Sequence, residues 1–390
     1  MTSPLQTVRT RIEAVDVVRG LIMVLMALDH TRDYFGMPGA NPTNLATTDP
    51  ALFFTRWITH FCAPTFFLLT GTGAFLSLGK QTPRQLSRFL FTRGLWLIFL
   101  EVVVLRFMMQ FNVDYRVTML TVLWALGCAM ITLSALVFLR PAVIAALGLV
   151  LIVGHDMLDG IRSPNPLWSI LHAPGFLLNT PDHVVFLSYP IVPWIGVTAV
   201  GYALGQIYSW PAEKRRHWLF RAGMAVTIAF FVLRGINVYG DPVKWEVQTS
   251  TAFTLISFFN LNKYPPSLLF LLMTLGPVLL FLRAVDGWTP AALRPAMIVG
   301  KVPMFYFLVH FPLIHLIAVA ACYALNGSAH WMFESPGLDK FPFTTPPVWG
   351  FSLPIVYLVW ASVVVVCYPP CVWYAGVKRR RPDLWWLSYL

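Results

Sequence analysis

Apolar runs of close to twenty residues recur along the whole chain, broken by short polar stretches. That pattern predicts ten membrane-spanning helices, at about 17–37, 51–78, 91–109, 117–138, 141–157, 185–208, 218–237, 265–283, 297–323 and 350–374. Runs this long and this numerous exceed what the buried helices of a water-soluble core require. The expected fold is therefore all-α, a polytopic transmembrane helical bundle forming one domain over residues 1–390. The loops at about 158–184, 238–264 and 324–349 are the longest, and loops of that length often carry function.

Charge orients the bundle. One set of connections carries Arg9 and Arg11; Lys80, Arg84, Arg88 and Arg93; Arg140; Lys214, Arg215, Arg216 and Arg221; Arg283, Arg294 and Lys301; and Lys378 to Arg381. The alternate set holds most of the acids: Asp33, Asp49, Asp114, Asp156, Asp159, Asp182, Asp241, Glu246, Glu334 and Asp339. Lys and Arg accumulate on the cytoplasmic side. Both termini are thus expected there, with residues 1–16 as a cytoplasmic N-terminus and 376–390 as a basic tail. The net charge of +11 is explained by topology and attraction to lipid headgroups, without nucleic acid. The first residues lack a short apolar stretch ending in a cleavage site, so the first helix is expected to remain as an anchor. The expected location is a bacterial inner (plasma) membrane, with small-residue helix faces that would permit a homodimer. With 57% hydrophobic and 12% charged residues, the chain cannot cover itself as a soluble protein would. The five cysteines form neither a disulfide framework nor a metal pattern.

Ionisable residues within a bilayer are costly and mark candidate function. In DVVRGLIMVLMALDH, Arg19 sits at the cytoplasmic mouth of the first span and His30 toward its other end. They share one helix face about 16 Å apart, with Met23 and Ala27 between them. Such an arrangement suits an elongated anionic substrate, phosphates at the arginine and reactive end at the histidine. Snorkelling and interfacial placement would explain the same pair. In the second span Arg56, His60 and Pro64 recur at helical spacing, and His60 is a second candidate reaction centre. The run Thr70–Gly71–Thr72–Gly73–Ala74 reads as close helix packing. The ninth span places Lys301 at the cytoplasmic end and Tyr306 and His310 deeper, where they would orient substrate or line a pore. Trp194, in the Pro- and Gly-rich sixth span, is expected to face a cavity or the interface. Glu101 and Arg106 are expected to form a buried ion pair.

Arg19, ten intervening residues and His30 resemble the arginine-to-histidine motif of acyltransferase-3 membrane proteins. Arg11–Asp16–Arg19–Gly20 followed by LIMVLMALDHTRDYF resembles the heparan-α-glucosaminide N-acetyltransferase catalytic domain family. So do Pro64 with Gly71, YPIVPWIGV (189–197) and KVPMFYFLVHFPLIH (301–315). The resemblance implies transfer of an acyl group, usually acetyl, from cytoplasmic acyl-CoA to a glycan or amino-sugar acceptor on the far side, without a metal. It assigns Arg19 to the CoA phosphates and His30 to the base; Lys301 and Arg93 are further candidate cofactor-side cations. In the heparan branch the catalytic histidine enters the second span, where His60 is nearest here.

A neutral histidine takes a proton from an attacking hydroxyl or amine. Asp33, one turn beyond His30, would hold its tautomer, and Arg56 or Tyr306 would meet the oxyanion. Direct transfer and an acyl-histidine intermediate both fit these residues. The rival class is a secondary transporter or channel with a His/Arg-lined polar pathway.

Overall fold

The computed structural model describes residues 12–79, 81–338, 341–381 and 383–388. Arg9, Arg11, Lys80 and Asp339 of the charge pattern, with most of the N-terminal segment, lie outside the described residues.

A helix stands at each of the ten predicted positions. The first is α1 (Glu13–Phe35); the second is split into α2 (Pro50–Thr59) and α3 (Cys62–Ser77). The third comprises α4 (Pro83–Phe99), a π-helical stretch (Leu100–Leu105) and α5 (Arg106–Gln110). Strand β1 (Val117–Leu120), α6 (Val122–Leu136), α7 (Pro141–Gly154) and a short α8 (Pro166–Leu171) follow. Next come β2 (Gly175–Asn179), β3 (Val184–Leu187), α9 (Val192–Leu204), α10 (Ala212–Ile236) and the loop helix α11 (Thr251–Phe259). The chain continues through α12 (Leu268–Val285), α13 (Arg294–Lys301), α14 (Pro303–Asn326) and α15 (Leu353–Arg380).

Six of these are long and apolar enough to cross a membrane: Pro50–Ser77, Pro141–Leu158, Ala212–Ile236, Leu268–Val285, Pro303–Asn326 and Leu353–Arg380. Helix α1 has the length, at 23 residues, but carries Asp16, Arg19, Asp29, Arg32 and Asp33. Helices α6 and α9 have only 15 and 13 residues and are largely buried by their neighbours.

The described residues are not purely helical. Strands β1, β3 and β2 form a small sheet in that order, β1 parallel to β3 and β3 antiparallel to β2. Residues 117–120 (VTML), just before α6, and 184–187 (VVFL), shortly before α9, take the extended conformation that β-branched and aromatic side chains favour. The predicted spans had merged both segments into helix.

Glycine lets the central helices touch backbone to backbone. A Cβ on Gly20 of α1 would lie 1.7 Å from the Ala296 carbonyl oxygen of α13, and one on Gly300 would lie 1.8 Å from that of Asp16. Gly71 of α3 and Gly201 of α9 interlock likewise, and Thr72 Oγ1 donates to the Gly201 carbonyl at 3.0 Å. Such contact replaces hydrophobic drive where the solvent is lipid.

The buried charges are fixed differently from the expected pairing of Glu101 with Arg106. Glu101, 1% exposed, caps α6 from the neighbouring π-helical stretch, accepting from Thr121 N, Thr121 Oγ1, Leu123 N and Trp124 N at 2.6–3.3 Å. Arg106 instead pairs with Asp114 at 2.9 Å and hydrogen-bonds Asn112. Facing unpaired N–H groups attract a carboxylate as strongly as a guanidinium does, and spacing within one helix does not reveal them. Arg234, fully buried at the end of α10, donates to the carbonyls of Phe258, Val243, Ser257 and Asn260 at 2.8–3.2 Å. That clamp folds the 238–264 loop back over the bundle.

Candidate active site

Helix α1 links two cavities. The first, about 300 Å³, is lined by four cations, Arg19, Arg93, Lys301 and Lys378, and among the described residues by no acid. Below the cations its wall is apolar, with Met23, Met26, Phe66, Met130 and Phe307, while Thr70, Gly73 and Ala74 of α3 supply a narrow polar edge. Arg19 is steered by the Asp16 carboxylate and the Gly300 carbonyl, each at 3.3 Å. The second cavity, about 390 Å³, holds Asp29, His30, Asp33, Tyr34, Tyr189, Lys263 and Tyr264. Val122 and Phe307 line both, so the cavities adjoin there. Arg19 and His30 therefore face two chambers in series, where the sequence suggested one groove.

His30 stands against His310 of α14, its Nδ1 2.9 Å from His310 Nε2, with the rings stacked at 5.1 Å. His310 Nδ1 is 2.9 Å from the Tyr306 carbonyl oxygen, which can only accept. His310 Nδ1 must therefore carry hydrogen, and a neutral His310 presents a lone pair at Nε2. His30 Nδ1–H donates to that lone pair. The chain leaves His30 Nε2 unprotonated, which is the state a general base needs.

Asp29, adjacent to His30, is an ionic hub that sequence reasoning passed over. It forms an ion pair with Arg32 at 2.8 Å and accepts hydrogen bonds from Arg56 in a close contact and from Thr59 Oγ1 at 3.1 Å. Asp33 pairs with Arg32 at 2.7 Å and is half exposed, so its partner is that guanidinium; His310 occupies the orienting place expected for Asp33. Arg56 also reaches the Tyr264 hydroxyl at 3.4 Å.

A third cavity of about 700 Å³ lies beside the second and shares Lys263 and Tyr264 with it. Arg32, Arg56, His60 and the amides of Asn41, Asn44, Asn260 and Asn262 line it. His60 sits at the break between α2 and α3, where Pro64 offers no N–H to its carbonyl. Its ring packs 5.2 Å from Phe270 and its Nδ1 has no partner among the described residues. In the loop before α12, burial raises the Tyr264 phenol pKa, but the Lys263 ammonium and Arg56 guanidinium outweigh it and the net shift is downward.

Trp194 and Tyr306 line none of the three cavities. Trp194, fully buried, stacks between Phe67 and Tyr189 at 4.5 and 5.6 Å. Tyr306 is fully buried beside His310, and its backbone carbonyl, not its phenol, meets the site. Beyond Asp29, the sequence reading missed Lys263 and Tyr264, which sit in an irregular loop with no periodicity, and read Lys378 only as a topology charge. The one available signal was Asp29 itself, an acid directly beside the motif histidine. Among the described residues no group of three or more His, Cys, Asp or Glu side chains is placed to hold a metal ion.

A helical bundle with apolar membrane-length helices, a basic chamber and a poised imidazole in the chamber beyond it defines an integral membrane protein with a candidate group-transfer site. The family model for heparan-alpha-glucosaminide N-acetyltransferase, catalytic, matches residues 11–239, more than half of the 390, and the chain belongs to that family. Its members are transferases that use acetyl-CoA as donor. The matched stretch holds Arg19, Asp29, His30, Arg56, His60 and Arg93; Lys263, Lys301 and His310 lie beyond it. No curated protein matches the chain.

Proposed function

We propose that the protein transfers an acetyl group from cytoplasmic acetyl-CoA, bound at Arg19, Arg93, Lys301 and Lys378, to an acceptor hydroxyl or amine arriving from the opposite side, with His30 as general base. The carrying observation is the hydrogen-bond chain from the Tyr306 carbonyl through His310 to His30, which leaves a lone pair on His30 Nε2. Four cations suit the phosphates of CoA, and the apolar wall toward Phe307 suits its thin pantetheine arm. His30 Nε2 takes the acceptor proton as the acceptor oxygen or nitrogen bonds to the acetyl carbon. The carbon–sulfur bond then breaks, and His30 returns the proton to the departing sulfur. While His30 is an imidazolium its Nδ1–H bond to His310 is charge-assisted, which lowers the cost of that state.

Direct transfer in one complex is favoured over an acyl-histidine, because donor and acceptor chambers adjoin at Val122 and Phe307. His60, in the third cavity, contacts the acceptor in this reading and is not the base. Arg93, Lys301 and Lys378 of the basic chamber come from connections assigned to the cytoplasm by charge and Arg19 from the start of α1, while Asp29 and Asp33 come from the other end of α1 and Lys263 from the loop before α12. That separation supports ten crossings with both termini cytoplasmic; a single domain in a bacterial inner membrane is carried over from the sequence reading. Acetyl-CoA should raise the thermal midpoint of the purified protein by mass action. Arg19→Ala should weaken that stabilisation about tenfold in ligand concentration, the weight of one charge-assisted contact of ~1.4 kcal/mol. Absence of any stabilisation by CoA or acetyl-CoA would favour a transporter of unrelated solutes.

A further inference from the structure

Attack on a thioester carbonyl drives negative charge onto its oxygen, and that oxygen needs a donor held ready in the site. Arg56 and Tyr306, the residues expected for this task from the sequence, do not line the histidine chamber. The hydroxyls that do line it are mostly committed. Tyr34 donates to the Met109 carbonyl at 2.6 Å, Ser188 Oγ to the Leu120 carbonyl at 3.1 Å and Thr121 Oγ1 to the Glu101 carboxylate at 2.6 Å. Each has thereby used its single hydrogen. Two phenols remain, Tyr189 and Tyr264, set edge to face with ring centroids 5.2 Å apart. The Lys263 ammonium is the rival donor in the same chamber.

The neighbours of Tyr264 decide between the two phenols. The Tyr264 oxygen accepts from Arg56 at 3.4 Å and from the Tyr189 phenol, so Tyr189 has committed its hydrogen. Tyr264 gives its own hydrogen to no carbonyl or carboxylate among the described residues, and with donors on its oxygen that hydrogen is free to turn into the chamber. The charges around it strengthen it as a donor. Arg56 of α2 and Lys263, whose ammonium lies 5.2 Å from the Tyr264 ring centroid, hold the phenol below its ordinary pKa against burial and Asp29 of α1. His30, Asp33, Arg32 and His60 line the cavities that Tyr264 borders. A more acidic hydroxyl gives a stronger hydrogen bond to a developing oxyanion.

We propose that Tyr264 is a further catalytic residue, the oxyanion donor whose O–H meets the thioester carbonyl oxygen while His30 receives the acceptor proton. The inference rests on the acetyltransferase reading. As the acceptor oxygen or nitrogen bonds to the acetyl carbon, the carbonyl π electrons move onto the oxygen, which accepts the Tyr264 hydrogen bond. When the carbonyl re-forms, the carbon–sulfur bond breaks and the proton held by His30 passes to the sulfur. Tyr264 keeps its own hydrogen throughout.

Release of the CoA thiol is measured with the purified full-length protein, acetyl-CoA and glucosamine as the probe acceptor. Tyr264→Phe keeps the ring and loses only the hydroxyl. Its kcat should fall about a hundredfold to a thousandfold, the cost of one lost oxyanion donor. Its KM for acetyl-CoA and its stabilisation by acetyl-CoA should stay at wild-type values, which a general loss of structure would not allow. In the wild type, kcat should decline at alkaline pH as Tyr264 ionises and stops donating. Lys263→Met removes a cation beside the phenol and should move that decline to higher pH, at a smaller loss of rate; Tyr264→Phe should abolish it. A normal kcat in Tyr264→Phe, or an alkaline decline that persists in it, overturns the assignment and leaves the transferase reading in place. A loss in Lys263→Met as large as that in Tyr264→Phe, with the decline unmoved, makes the ammonium the donor and also overturns it. A wild type that releases no thiol removes the transferase reading and this assignment together.

Discussion

A neutral imidazole has one hydrogen to give and one lone pair to offer, so fixing one nitrogen decides the other. That rule makes the Tyr306 carbonyl, two side chains away, the group that sets the protonation of His30 Nε2. His310 is a positioning residue and its substitution has a distinctive signature. His310→Gln retains a side-chain oxygen that accepts from His30 Nδ1–H, whereas His310→Leu leaves that hydrogen without a partner. Acetyl transfer should fall by roughly tenfold to a hundredfold in the leucine variant, the range seen when an outer partner of a functional histidine is lost. The glutamine variant should fall less, and the acetyl-CoA dependence should change little in either. Equal losses in both variants would mean that His310 only fills space. Arg19 and His30 were legible in the sequence because charge within an apolar run is conspicuous. Asp29 was not recognised as a hub because its partners, Arg32 and Arg56, are defined by the approach of α2 to α1, which spacing along one helix does not report.

At the scale of elements, the six helices long and apolar enough to cross a membrane could be read because hydrophobic length measures bilayer thickness. Their interruptions were harder. The break at His60 follows from Pro64, and the π-helical stretch around Glu101 brings a carboxylate to the N-terminus of α6. Both depend on a neighbour needing the group displaced. Strands β1 and β3 were missed because short apolar segments (VTML and VVFL) near a helix have the same hydropathy as the helix itself. The contact of α1 with α13 sets where Arg19 points, since Gly20 and Gly300 bring the two backbones together and the Gly300 carbonyl receives the guanidinium. Gly20→Val should force these helices apart, because the added Cβ meets backbone that cannot move aside. The expected result is a lower thermal midpoint together with loss of stabilisation by acetyl-CoA. A variant that keeps full stabilisation would show that Arg19 is positioned by something other than this contact.

Across the whole molecule, the two ends of α1 have opposite tasks. Among the described residues, one end gathers four cations around a chamber lined by no acid; the other surrounds an imidazole with carboxylates, phenols and the Lys263 ammonium. Val122 and Phe307 stand between them and line both. This division was only partly visible in the sequence. The excess of Lys and Arg in alternate connections gives an expected orientation, but which of those residues turn inward depends on how α4, α13 and α15 pack. The most direct test uses inverted membrane vesicles containing the protein, with radiolabelled acetyl-CoA supplied outside and acetylated acceptor recovered from the lumen. Wild-type vesicles should accumulate label, and His30→Ala vesicles should lose about a hundredfold or more of the rate, the usual contribution of a general base, while acetyl-CoA still stabilises the variant. Near-normal labelling of the lumen by His30→Ala, or label confined to the outer side in the wild type, would contradict the account.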